Sequence, residues 1–113
     1  MNTQPKFELL LGEVSEGKLC HPKTVGSAFL QESEKCYSVK LMALPGITFY
    51  LVKNQESTDR YTLYAKKQKG EDRTHFIAPV GMGRLREDLN SYLELYIPTF
   101  KLKTYMCLFP KNS

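Results

Sequence analysis

Between Cys36 and Lys67 the chain alternates apolar and polar residues with a period of two, and only short breaks separate the runs. That pattern constrains the fold more than any other feature. A parallel crossover needs a dozen or more residues, so strands joined this closely pair antiparallel with their neighbours. In the first run Tyr37, Val39, Leu41 and Ala43 share one face, while Cys36, Ser38, Lys40 and Met42 share the other. In the run Arg60 to Lys67, Tyr61, Leu63 and Ala65 oppose Arg60, Thr62, Tyr64 and Lys66. Such strands can face a core on one side and present a basic, aromatic surface on the other. Pro45-Gly46 predicts a type II turn, since Pro presets φ at the second position and Gly accepts positive φ at the third. The nearly all-apolar run Ile47 to Lys53 predicts a buried, central strand.

Outside this stretch, Phe7, Leu9 and Leu11 mark a strand from Lys6 to Val14, with Leu10 interrupting the alternation. Ser15 to Lys23 reads as a loop because Gly17 and Pro22 break it. Thr24 to Gln31 resumes a strand, where Gly26 and Ala28 signal a bulge or a close backbone approach. The hydrophilic run Gln68 to Thr74 reads as a loop and His75 to Val80 as a short strand. Leu85, Leu89, Tyr92, Leu93 and Tyr96 recur at spacings of three and four, which predicts a helix over residues 84–96. Glu87 and Asp88 suit its first turns, and Pro98 lies just past its end. Thr99 to Phe109 closes the chain as a strand, with Phe100, Leu102, Thr104, Met106 and Leu108 facing the core. The expected fold is α+β: a strongly bent antiparallel sheet or small open β-barrel of six to seven strands, with one helix at about 84–96. No internal repeat, low-complexity tract or linker is expected.

With 113 residues the chain forms a single domain, 1–113, because two would each be too small to bury a self-sufficient core. A net charge of +4 and a pI near 9.0 favour contact with polyanions, though such a charge also serves solubility. Cys20, Cys36 and Cys107 cannot all pair with one another, which fits a reducing compartment. No basic segment followed by a long apolar core stands near the start, and a cytoplasmic location is expected.

The inventory for catalysis is thin. Cys20-His21 and the remote His75 lack the spacing of a metal site, and no nucleophile has a recognisable partner. The carboxylate pairs Glu32/Glu34, Glu71/Asp72 and Glu87/Asp88 lie where solvation or capping explains them. Gly81-Met82-Gly83 lacks the third glycine of a dinucleotide fingerprint and the Lys-Ser/Thr of a P-loop, so it reads as helix entry, with a weak phosphate contact by Arg84 and Arg86 behind it as the alternative. No enzyme activity, cofactor or metal is therefore expected. What remains is the interleaving of cations and rings: Lys40, Tyr50, Arg60, Tyr64 and Lys66 on successive strands, then Lys101, Lys103 and Tyr105 on the last. Single-stranded nucleic acid calls for this mixture, cations for the phosphates and flat rings for the bases. The expected function is a non-catalytic binder of single-stranded DNA or RNA, with a homodimer compatible and no membrane partner. The alternative is a protein–protein interaction module, an adaptor or inhibitor of phage, plasmid or host origin. A helix lying on the basic face would defeat the first reading.

The residues Val25, Gly26, Ala28 and Phe29, followed by Tyr37, Val39, Leu41 and Pro45, resemble a pattern in small uncharacterised bacterial proteins encoded on plasmids, phages and other mobile elements. Met42-Ala43 stand where that family often has acidic residues and glycine. The resemblance implies a small β domain and a mobile-element origin. In layout alone, a curved antiparallel sheet followed by a helix resembles the single-strand-binding folds of the transcription-coactivator, Whirly and Pur type.

Overall fold

A computed structural model of the chain describes residues 5–32 and 35–110; Glu34, and with it the Glu32/Glu34 pair, lies outside them. Eight strands follow one another: β1 (Lys6–Ser15), β2 (Lys18–Gln31), β3 (Cys36–Leu41), β4 (Phe49–Lys53), β5 (Arg60–Lys69), β6 (Thr74–Leu85), β7 (Tyr92–Ile97) and β8 (Leu102–Cys107). Each pairs antiparallel with the next, and β8 returns to β1 through Leu9–Met106 and Leu10–Tyr105, closing the barrel across a short seam. Leu9, Leu51, Leu63, Leu93 and Met106 have no exposed surface and fill the middle of the ring. Burying each contributes about 1.5–3 kcal/mol.

The expectation of six or seven strands with a helix is overturned. No α-helix occurs among the described residues; Pro98–Phe100 form a single 3-10 turn. Residues 84–96 are the end of β6, a connection and β7. Leu93, Leu95 and Ile97 alternate into the core, and this period of two wins over the period of three and four. Leu89, 2 % exposed, plugs the connection between turns closed by Leu89 N–H to Arg86 O and Tyr92 N–H to Leu89 O. The layout shared with the coactivator-type folds loses its basis with the helix. Ser15 to Lys23 is not a loop either. Glu16 and Gly17, at φ 51° and 75°, make a tight turn, and β2 runs from Lys18 through Pro22 at a break in register. The Pro45-Gly46 turn forms as expected, with Gly46 at φ 86° and Ile47 N–H donating to Leu44 O at 3.3 Å.

Although the sequence shows no internal repeat, the two halves of the barrel correspond strand for strand in their pairing. In β1–β2, Phe7 faces Ala28, Leu9 faces Gly26, and the register then slips so that Leu10 faces Thr24. In β5–β6, Tyr61 faces Gly83, Leu63 faces Gly81, and Tyr64 faces Pro79. β3–β4 and β7–β8 correspond likewise: Ser38–Tyr50 matches Glu94–Tyr105, and Tyr37–Leu51 matches Leu93–Met106. Even the junctions agree, since Leu51–Leu63 and Tyr50–Tyr64 match Met106–Leu9 and Tyr105–Leu10. Gly26 and Gly81 do the same work in each half. A Cβ on Gly26 would lie 2.3 Å from Lys40 O, and one on Gly81 would lie 2.4 Å from Tyr96 O. Gly81 thus serves a close strand approach and not helix entry.

Beyond the register slips, the β1–β2 and β5–β6 hairpins pair only with themselves and form two arms. Both return toward the wall. A Cβ on Gly17, at the first tip, would lie 2.8 Å from Asp88 O. Thr74 and Phe76 of the second arm line a groove with Val52 and the 53–58 connection.

Candidate nucleic-acid interface

Among the described residues no helix covers the outward face of β4 to β8, and two clusters stand on it. At the first, Tyr50 faces Tyr64 across the β4–β5 pair. Phe76, brought back by the arm, lies 6.1 Å from the Tyr50 ring and 5.7 Å from the Tyr64 ring, both tilted. Lys67 Nζ sits 5.0 Å above the Tyr50 ring, within the range of a cation–π attraction. Lys66, exposed opposite Ile77, belongs to the other face of the arm from the Lys67–Phe76 pair that packs here.

The second cluster follows along β5. Arg60 faces Arg84, Arg84 faces Glu94, and Glu94 faces Tyr105. A surface depression of about 340 Å³ opens here, lined by Arg60, Met82, Arg84, Glu94, Tyr96 and Lys103. Glu94 is 6 % exposed. Its Oε1 accepts from Arg84 Nε at 3.0 Å and its Oε2 from Arg86 Nη1 at 2.9 Å. Arg86 also grips Asp88 with Nε and Nη2, at 2.8 and 2.5 Å. Burial works to raise the Glu94 carboxyl, but the bonds from Arg86 and Arg84 outweigh it and hold the group below its usual range. The hydrogen bonds that Arg86 donates to Asp88 and then to Glu94 raise its pKa, and it stays charged throughout.

The structure thus brings Tyr50 and Tyr64 to one cluster and Arg60 and Lys103 to the other, and leaves Lys66 outside both. Four strand steps on β5 separate Tyr64 from Arg60, about 13 Å at the usual rise. The remaining predicted residues stand apart. Lys40 is exposed on β3 opposite Ser27. Lys101 sits at φ 49° behind the 3-10 turn, off the strand. Tyr105 is only 4 % exposed, so it offers no open ring; burial also raises its hydroxyl pKa. Sequence reasoning missed Phe76, Lys67, Glu94 and Tyr96. The signal for the last two was present in Tyr92-Leu-Glu-Leu-Tyr-Ile97, which puts Tyr92, Glu94 and Tyr96 outward once read as a strand.

Among the described residues no group of three or more His, Cys, Asp or Glu is placed to hold a metal ion, and Cys20, Cys36 and Cys107 form no disulfide. No helix among them is long and apolar enough to cross a membrane. Comparison with family models, curated proteins and solved structures finds no match.

Proposed function

We propose that this protein binds single-stranded DNA or RNA without catalysis, along the outward wall from β4 to β8. The observation that carries the reading is the cluster of Tyr50, Tyr64 and Phe76 with Lys67 against it. Rings of this kind supply stacking faces for bases, and the adjacent cations track the phosphates. Three cysteines held as thiols support placing this activity in the cytoplasm.

Fluorescence anisotropy with labelled oligonucleotides tests it. Binding should weaken steeply as salt rises, and Tyr50→Ala with Tyr64→Ala should cost about 1–3 kcal/mol for each stacked base. Absence of binding at micromolar protein and low salt overturns the proposal. The second reading, a protein-interaction module, draws on Met42 and Ile47, 66 % and 45 % exposed on the β3–β4 connection. A stable complex that survives nuclease and is lost on Met42→Lys would favour it.

A further inference from the structure

We infer that the depression between Arg60 and Lys103 is a seat for a phosphate group. The inference deepens the proposed function by assigning one position on the wall to a phosphate.

The first argument is the placing of charge. Arg60 and Arg84 stand directly opposite each other on paired strands, and like charges so placed destabilise a sheet. Lys103 adds a third cation to the same depression. Glu94 relieves only part of this. It takes Arg84 by Nε alone, and its other oxygen belongs to Arg86. Arg60 and Lys103 make no side-chain hydrogen bond or ion pair among the described residues. The Arg84 side chain is 47 % exposed, and its Nη atoms are not engaged among those residues. Two guanidinium edges and an ammonium therefore meet over one small hollow, the arrangement that suits a tetrahedral oxyanion.

The two halves of the barrel, alike in register, differ at this place. The corresponding residues of the first half are Lys6, Phe29 and Ser38, where the second has Arg60, Arg84 and Glu94. There Ser38 accepts a hydrogen bond from Gln31 and donates one to Phe29 O, and no acid is buried. The same backbone thus closes without a charge cluster, so the fold does not require one. A local departure from stable patterning, in one half only, marks a place shaped for something other than folding. Met82 and Tyr96 give the hollow apolar flanks beside the cations.

The seat can take a backbone phosphodiester or a free phosphate monoester, and the test separates them. NMR spectra of the full chain are followed while inorganic phosphate is added, against sodium chloride at matched ionic strength. Saturable shifts at Arg60, Arg84 and Lys103 are expected, and Arg60→Gln and Lys103→Gln should each abolish them. Both are exposed positions, and retained melting temperatures confirm the fold. Shifts no larger than with chloride, or shifts that survive in both variants, overturn the seat. A second arm measures the salt dependence of oligonucleotide affinity. A slope reduced by about 0.7 per substitution assigns the seat to a backbone phosphodiester. Saturable phosphate shifts with an unchanged slope assign it to a free phosphate monoester. If oligonucleotides fail to bind at all while phosphate still shifts these residues, the nucleic-acid reading falls and the seat stands.

Discussion

At the scale of single residues, the buried carboxylate at Glu94 is the most consequential. It organises Arg84 and Arg86, and through Arg86 it ties the β6–β7 connection to the wall by way of Asp88. Replacing it by Gln keeps the shape and removes the charge. Glu94→Gln should lower stability by about 2 kcal/mol, the size of the charge-assisted hydrogen bonds it weakens, read by chemical denaturation. The dependence on pH has a definite sign. A carboxyl whose pKa is lowered on folding contributes stability above its unfolded value and loses it as pH falls through the folded one. Both Glu94 and Asp88 are lowered, so acid should destabilise the wild type progressively below the ordinary carboxylate range. The Glu94→Gln variant should show a shallower acid limb in thermal melts from neutral to low pH. An identical limb would mean that this carboxylate does not govern acid stability.

At the scale of elements, alternation carried over faithfully wherever a strand had one wet face. β3, β4 and β5 lie close to where Tyr37, Leu51 and Leu63 placed them, and the Pro45-Gly46 turn joins two of them. The misreading of residues 84–96 has a physical source. Leu93 and Ile97 sit four apart in a strand as well as in a helix, and Leu85 and Leu89 extended the coincidence across a turn. Glu87 and Asp88, taken as favourable to a helix start, instead lie in a connection where Asp88 chelates Arg86. The aromatic cluster was only half legible for a different reason. Tyr50 and Tyr64 follow from alternation, but Phe76 reaches them because the arm bends near Ala78, at φ 61°, a backbone event with no marker in hydrophobic pattern beyond the adjoining Pro79. That contact also predicts behaviour. Phe76→Ala should release the β5–β6 arm, so amides of Lys66–Lys69 and Thr74–Ile77 should exchange faster with deuterium while the barrel amides keep their protection. Unchanged exchange in the arm would show that the backbone ladder alone holds it.

At the scale of the whole molecule, the two halves correspond in register although few residue identities recur between them. What the halves share is a set of demands made by geometry. Val25-Gly26 and Val80-Gly81 answer the same close approach of a neighbouring carbonyl, and Leu9 and Leu63 fill the space each glycine leaves. Outward positions differ between the halves: Tyr64 corresponds to Leu10, and Arg84 to Phe29. The seam between β8 and β1 corresponds to the junction between β4 and β5, where the 54–59 connection links Lys53 to Arg60. Their counterparts are Leu108 and Lys6. The ring therefore has no privileged first strand. A gene rewritten so that translation starts at Arg60, passes Leu108, crosses a six-residue linker copied from 54–59 and ends at Lys53 should yield the same barrel. Its circular dichroism and melting temperature should match those of the parent, because the exchange cuts one equivalent junction and joins the other.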